Sequence, residues 1–167
     1  VSNHESFVDM LAISQIRIEM KWVAKSTFFN IPFVGFLLMM SRDIKLVRGA
    51  KGAGARVYTE AAERLSTRSS VMLFPEGTRS ASGELGEFKD GAFKIAIEAQ
   101  APILPLVVHG TRDALIKHDW RFGRCNATVQ ILDPIPTTGM TLDDVATLRE
   151  QVRDLIAATK AELAAAA

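Results

Sequence analysis

Cysteine is almost absent from this chain of 167 residues, in which Cys125 is the single example. One cysteine cannot form an internal disulfide or a zinc cluster, so a disulfide-stapled secreted module is excluded and a reducing compartment is favoured. Glycine (11) and proline (6) are too scarce for a collagen-like or low-complexity chain. The longest apolar run, residues 28–40, is shorter than the roughly 20 residues that span a bilayer, and Pro32 and Gly35 interrupt it.

Net charge is also small, at +1, so the molecule as a whole lacks the field expected of a protein that binds nucleic acid. Basic residues nevertheless concentrate between positions 42 and 56, where Asp43 is the one acidic residue. They are Arg42, Lys45, Arg48, Lys51 and Arg56. A local basic stretch on a nearly neutral chain indicates a small anionic ligand or an anionic surface, although a solvated surface explains the charge equally well.

Short apolar runs alternate with longer helical patterns along the whole chain. This alternation predicts an α/β fold with a largely parallel central sheet and helices on both faces, in a single domain spanning 1–167. The predicted strands are 21–24, 44–47, 71–74, 103–109 and 127–132, and the predicted helices are 7–16, 32–40, 53–65, 91–99 and 142–163. Thr141 is the expected N-cap of the last helix. Ligands of such sheets bind beyond the carboxyl ends of the strands, so the loops that follow strands are the first candidates for a site.

The chain begins at Val1, without an initiator methionine or a signal-peptide pattern. We therefore expect a piece of a longer protein whose N-terminal segment is missing.

His4 and Asp9 form an HxxxxD motif before a predicted helix. If Ser6 caps that helix, His4 can fold back towards Asp9, and a carboxylate on one imidazole nitrogen leaves the other nitrogen basic. Such a pair can take a proton from a substrate hydroxyl. The same residues also fit a capping box with Asp9 at its third position, and chance alone produces this spacing at an appreciable rate.

An EGTR motif, Glu76 to Arg79, follows the predicted strand 71–74. Glycine permits close approach of the backbone, and an arginine in the same turn can bind phosphate with two parallel hydrogen bonds. An ordinary turn with a solvated arginine is the alternative. Lys25 and Arg48 also end strand-like runs, which places them at the same predicted edge.

Four of the nine phenylalanines, with two methionines, lie in residues 28–40. They are Phe28, Phe29, Phe33 and Phe36, followed by Met39 and Met40. Core packing explains such a cluster, and the alternatives are an acyl-chain channel or a contact with a membrane interface.

Taken together, these motifs resemble the glycerolipid acyltransferase family, and most closely its bacterial 1-acyl-glycerol-3-phosphate (lysophosphatidic acid) acyltransferases. The matching segments occur in the family's order and cover at least residues 2–111. They are SNHESFVD at 2–9, Lys25 with Pro32 and Gly35, KLVR at 45–48, FPEGTRS at 74–80, FKDGA at 88–92, PILP at 102–105 and HGT at 109–111. The family often has an aromatic or aliphatic residue and an acid just before the arginine of the KLVR segment, where this chain has Leu46 and Val47.

The resemblance implies transfer of a fatty acyl group from a thioester, acyl-CoA or acyl-carrier protein, to the free hydroxyl of a lysophospholipid. His4 would be the general base, oriented by Asp9. Arg79 would bind the acceptor phosphate in a loop shaped by Glu76, Gly77 and Thr78, and Arg48 and Lys25 would add positive charge. No cofactor or metal is implied, and His109 and His118 lack metal-ligand spacing. The implied location is the membrane surface on its cytoplasmic face.

Three other functions remain open at this point. The chain could acylate a different lysolipid, bind anionic lipid without turnover, or hydrolyse lipid esters with His4 activating water.

Overall fold

The structure, a computed structural model, describes residues 1–49, 52–80, 82–115, 121 and 123–166. Lys51 and His118, both considered above, lie outside these residues. Helices and strands alternate along the chain. The helices are α1 (Val8–Ile13), α2 (Val34–Met40), α3 (Ala53–Ser66), α4 (Gly91–Glu98) and α5 (Val145–Ala166). The strands are β1 (Met20–Lys25), β2 (Ile44–Leu46), β3 (Ser70–Met72), β4 (Leu106–His109) and β5 (Thr128–Ile131).

Two compact units make up the fold, residues 18–73 and residues 1–17 with 74–167. The first unit contains a parallel sheet in the order β2-β1-β3. Val23 is in register with Ile44, and Trp22 is in register with Met72. α3 packs against β2 and β3, and its buried face carries Val57 and Ala61.

Lys25 and Arg48 lie at the same end of this sheet. Lys25 is the last residue of β1 and is in register with Leu46, the last residue of β2. Arg48 follows Leu46 by two residues and is exposed. Both basic residues are therefore at the carboxyl edge of the parallel strands, as the sequence predicted.

The second unit has a hydrophobic core between β4 and the long helix α5. Val107 and Val108 of β4 are fully buried, as are Val152 and Ile156 of α5. α4 packs on α5 and contributes the fully buried Phe93. This core fixes β4, the strand beside which the N-terminal residues lie.

The α/β class and the parallel pairing of the first three strands are confirmed. β4 and β5 differ, because they pair antiparallel, with Val108 opposite Val129. The described part of the connection 110–127 contains one short 3₁₀ turn, Thr111–Ala114, and no α-helix, and a crossover helix is what a parallel pair would usually need. Among the described residues no helix is both long and apolar enough to cross a bilayer.

Candidate active site

The residues before α1 lie against the buried strand β4. Ser2 forms a parallel bridge with Leu106. The side chain of Asn3 then pairs with the backbone of Val108 in both directions: its amide donates to the carbonyl and its carbonyl accepts from the N–H, each at 2.8 Å. Asn3 thereby extends the pairing beyond the backbone ladder, and the next residue, His4, is held at the end of β4.

His4 contacts Asp9 as the motif spacing suggested. The ring Nδ1 lies 2.8 Å from Asp9 Oδ2, and the same oxygen accepts the backbone N–H groups of Glu5 (2.7 Å) and Ser6 (2.9 Å). The other oxygen, Oδ1, accepts a hydrogen bond from the hydroxyl of Thr111. Asp9 is fully buried, whereas the His4 side chain keeps some exposure.

These contacts define the protonation pattern of the His4 ring. An ionised carboxylate only accepts hydrogen bonds, so Nδ1 carries the proton in the contact with Asp9. In the neutral ring the other nitrogen, Nε2, is then an unprotonated acceptor. The arrangement can accept a proton at Nε2 and stabilise the resulting imidazolium through Asp9.

The capping-box interpretation is correct only in part. Asp9 does accept the Ser6 N–H, which is half of such a box. The residue directly before α1 is Phe7, however, and not Ser6. The Ser6 hydroxyl accepts the Val8 N–H only at a long 3.4 Å and donates to the carbonyl of Leu115 at 3.0 Å. One carboxylate therefore orders the helix start and contacts His4.

Phe74 covers one face of the His4 ring. The two ring centroids are 3.9 Å apart and the rings are nearly parallel, with an interplanar angle of 11°. Together with the Asp9 contact, this stacking restricts rotation of the imidazole.

The buried side chain of Glu76 binds the backbone at His4 and at Gly86. Its two carboxylate oxygens accept the N–H of His4 (2.8 Å) and the N–H of Gly86 (3.0 Å). Ser80 adds a further bond, because its N–H donates to the carbonyl of His4 at 2.8 Å. Burial raises the pKa of Glu76 despite these amide bonds.

The rest of the EGTR turn surrounds Arg79. Gly77 has φ 70°, in the left-handed region, and a Cβ there would lie 3.0 Å from the Lys89 Nζ, so glycine suits this position. Thr78 is exposed. Arg79 is half-buried, and its guanidinium has no hydrogen bond or ion pair with any residue that the structure describes. That leaves its donors available to a ligand.

A cavity of about 290 Å³ lies inside the following loop, between residues 76 and 87. Three carboxylates line it, from Glu76, Glu84 and Glu87, and Arg79 does not. Negative charge of this density disfavours phosphate. Arg79, outside the cavity, is the better place for an anion.

The structure brings His4, Asp9, Glu76, Gly77, Thr78 and Arg79 into one unit of the fold, through the backbone and side-chain contacts given above. Lys25 and Arg48 belong to the other unit, at the sheet edge already described. The described residues contain no group of three or more His, Cys, Asp or Glu that could hold a metal ion.

Three contributors to this site were not assigned a role from the sequence. Asn3 and Thr111 lie in matching segments of the family pattern, which was the only signal available for them. The third, Lys160 of α5, forms an ion pair with the buried carboxylate of Glu5 and also donates to the carbonyl of Gly83. Lys160 lies 155 positions from Glu5, and nothing in a helical pattern indicates such a contact.

Comparison with known proteins identifies the family. A model of the acyltransferase family matches residues 1–109, about two thirds of the chain. The chain belongs to the acyltransferase family. The predicted resemblance is thereby confirmed, and the segments SNHESFVD, KLVR, FPEGTRS and PILP fall within the matched residues.

Several named acyltransferases are similar over nearly the whole chain. The human 1-acyl-sn-glycerol-3-phosphate acyltransferase alpha is 36% identical over 155 residues, which cover 92% of this chain and 55% of that protein. The 1-acyl-sn-glycerol-3-phosphate acyltransferase of Haemophilus influenzae is 33% identical over 165 residues, covering 98% of this chain and 68% of that protein. The chain spans about half the length of the first of these relatives.

A solved acyltransferase structure has the same fold. The 1-acyl-sn-glycerophosphate (LPA) acyltransferase PlsC of Thermotoga maritima superposes with a TM-score of 0.86 at 28% identity, covering 98% of this chain and 65% of that one. The α/β fold of this acyltransferase chain therefore matches the superposed part of that protein.

Proposed function

We propose that the chain transfers a fatty acyl group from an acyl thioester to the free hydroxyl of a lysophospholipid. The proposed acceptor is 1-acyl-glycerol-3-phosphate, and the product is phosphatidic acid. The observation that carries the proposal is the 2.8 Å contact between His4 Nδ1 and Asp9 Oδ2, which leaves Nε2 able to accept a proton. The human and Haemophilus relatives are named for the acceptor 1-acyl-sn-glycerol-3-phosphate, which supports this choice.

The proposed chemistry needs no covalent enzyme nucleophile, because a thioester is already activated. His4 Nε2 takes the hydroxyl proton while that oxygen attacks the thioester carbonyl carbon. The tetrahedral intermediate then collapses, the C–S bond breaks, and the imidazolium returns the proton to the departing thiolate. Asp9 orients the ring and stabilises its positive charge during this cycle.

Arg79 is the proposed phosphate ligand. A guanidinium presents a planar pair of N–H donors that matches two phosphate oxygens, and this one has no competing partner in the described chain. Gly77 and Thr78 shape its turn, and Glu76 fixes that turn to His4 through the two amide bonds. Lys25 and Arg48 would add positive charge for the acceptor or the donor.

Acyl-CoA or acyl-carrier protein is the proposed donor, with no cofactor. Because acceptor and product are lipids, we place the chain at a membrane surface, on its cytoplasmic face. The single cysteine agrees with a reducing compartment of this kind.

A panel of acceptors tests the proposal. Each lysolipid is offered with one labelled acyl-CoA, and the initial rate of labelled diacyl product is measured for the parent chain and for Arg79→Ala. We expect 1-acyl-glycerol-3-phosphate to be the best acceptor, and the loss in Arg79→Ala to be larger for this acceptor than for an uncharged monoacylglycerol. Equal rates with all headgroups would contradict the proposed acceptor.

A further inference from the structure

The helix α2 and the turn before it carry an unusual amount of exposed apolar surface. Phe33 is 85% exposed and Phe36 is 60% exposed. Of the residues of α2, all of which are described, Gly35 is buried. We define the apolar patch as the six strongly exposed side chains Ile31, Phe33, Phe36, Leu37, Met39 and Met40. Patches of contiguous apolar side chains at a surface mark interaction sites in soluble proteins.

The rings of Phe33 and Phe36 therefore lie outside the core of the described chain, contrary to the core-packing interpretation. The backbone that carries them is tightly constrained. Phe33 has φ 62°, which is unfavourable for a residue with a bulky side chain. The turn is fixed by Gly35, where a Cβ would lie 2.1 Å from the carbonyl oxygen of Phe29. A strained, tightly packed turn thus presents the Phe33 ring to solvent, and backbone strain of this kind concentrates at functional positions.

Positive charge borders the apolar patch. No charged residue occurs between positions 26 and 41, and the exposed Arg42 follows immediately. Lys45 Nζ lies 5.6 Å from the ring centroid of Phe29, in the turn that leads into α2. The one nearby acid, Asp43, is half-buried and accepts the backbone N–H of Trp22 at 2.7 Å. The border of the patch is therefore net positive.

We propose that the apolar patch is the surface by which this chain docks on an anionic lipid bilayer, with Arg42 and Lys45 at the level of the headgroups. This deepens the proposed function by naming the surface that meets the membrane, but lipid binding itself requires no turnover. A second copy of the chain would meet the same positive border and be repelled, whereas an anionic bilayer supplies the opposite charge. The patch also offers no hydrogen-bonding side chain to a protein partner.

Vesicle co-sedimentation tests the docking surface. The probes are vesicles of phosphatidylcholine alone and of phosphatidylcholine with phosphatidylglycerol, each at two salt concentrations. We expect the parent to prefer the anionic vesicles, and high salt to weaken that preference. Phe33→Ser with Phe36→Ser should lower the partition coefficient at least about tenfold, because two apolar rings no longer enter the interface. Arg42→Gln with Lys45→Gln should lower binding to anionic vesicles about tenfold and leave binding to neutral vesicles unchanged.

A matched control and two further measurements make the outcome decisive. Ile131→Ser with Leu142→Ser removes two side chains of similar exposure (49% and 51%) outside the patch and should bind like the parent. The proposal is overturned if the control Ile131→Ser with Leu142→Ser loses as much binding as Phe33→Ser with Phe36→Ser. It is overturned as well if binding is insensitive to salt, or if circular dichroism shows that Phe33→Ser with Phe36→Ser unfolds. It is also overturned if sedimentation equilibrium finds a parent dimer that this variant abolishes. Vesicle binding can be tested separately from acyl transfer, because His4→Ala should remove the transfer and still bind vesicles like the parent.

A second observation, independent of the membrane, concerns Thr111. This residue is fully buried, and its hydroxyl donates to Asp9 Oδ1 while His4 contacts Oδ2. Its backbone is held by the preceding Gly110, at φ 83°, where a Cβ would lie 2.1 Å from the carbonyl oxygen of Asn126. The geometry points to Thr111 as a positioning residue that fixes the rotation of the Asp9 carboxylate, and through it the His4 ring. This inference rests on the proposed role of His4.

Two variants separate positioning from packing. Thr111→Val keeps the shape and removes the hydroxyl, and Thr111→Ser keeps the hydroxyl. We expect Thr111→Val to lower kcat about tenfold with little change in the acceptor KM, and Thr111→Ser to keep kcat close to that of the parent. In a protein that already carries Asp9→Asn, adding Thr111→Val should not lower kcat further. The proton on His4 Nδ1, followed by NMR, should be protected from exchange in the parent and in Thr111→Ser but not in Thr111→Val. The inference is wrong if that proton is equally protected in all three proteins. The NMR result does not depend on turnover, so it remains decisive even if no acyl transfer is found.

Discussion

His4 is restrained on its ring and on its backbone by different parts of one unit. Asp9 and Phe74 fix the ring, and Glu76 and Ser80 bond to the two backbone polar groups. A general base gains from such restraint because the nitrogen that accepts the proton is already oriented.

The first prediction is that His4 and Asp9 act as a unit. His4→Ala should lower acyl transfer by about 100-fold or more, Asp9→Asn should come close, and the double variant should lose little more. Steady-state rates with circular dichroism on each variant check this. Asp133→Asn, at an exposed aspartate, is the matched control. Near-normal turnover by a folded His4→Ala would remove His4 from the mechanism.

The second prediction concerns Arg79. Arg79→Lys retains the charge but not the planar pair of donors, so the acceptor KM should rise roughly tenfold while the donor KM stays nearly constant. Arg124→Lys, at an exposed arginine, should change neither value. If both substrates were affected equally, Arg79 would have a structural role in its turn instead.

The sequence could indicate these residues but not all of their partners. The HxxxxD spacing is local, so the contact of His4 with Asp9 follows from one helix start. The bonds from Thr111 to Asp9 and from Lys160 to Glu5 join positions more than 100 residues apart, and their geometry depends on how β4 and α5 pack. For Glu76, the motif predicted a role in shaping the loop of Arg79, but not the two backbone amides, of His4 and Gly86, that its oxygens accept.

A single 3₁₀ turn, Leu142–Asp144, leads directly into α5 and carries a capping box. The side chain of Thr141 and that of Asp144 each bond to the other's backbone, which is the capping box that the Thr141 prediction anticipated in part. The Thr141 N–H donates to Asp144 Oδ2 at 2.7 Å. Because α5 supplies much of the core behind β4, this cap stabilises the unit that holds His4.

The third prediction is that Thr141→Ala lowers the free energy of unfolding by about 1 kcal/mol. The loss reflects the backbone N–H of Asp144, in the turn that leads into α5, which would remain without its side-chain partner. Urea denaturation measures it, and Thr138→Ala, at an exposed threonine in the preceding turn, should cost much less. Equal stability of the two variants would show that the capping box contributes nothing.

All ten predicted helices and strands are present, with ends that differ by a few residues. Their periodicity and end signals were sufficient because each is a local property. Pairing is not local, which is why the antiparallel direction of β4 and β5 was not foreseen. The sequence also left the exposure of Phe33 and Phe36 undecided. A short apolar helix has the same sequence pattern whether it packs in a protein core or against a lipid surface.

At the scale of the whole molecule, the acyltransferase family and the α/β fold are compatible with more than one reaction. The chain spans about half the length of its human relative, and the division of 1–167 as one catalytic domain stays a prediction. Two other functions predict different products. A lipid-ester hydrolase would release free fatty acid, and a lipid-binding domain would leave the thioester intact.

The fate of one labelled acyl group decides among these functions most directly. Labelled acyl-CoA and 1-acyl-glycerol-3-phosphate are incubated with the parent chain and with His4→Ala, and the label is followed into phosphatidic acid, free fatty acid and unreacted thioester. The account predicts that the parent moves the label into phosphatidic acid with release of one free thiol per acyl group transferred, and that His4→Ala leaves it in the thioester. Label appearing in free fatty acid, or equal transfer by both proteins, would contradict it.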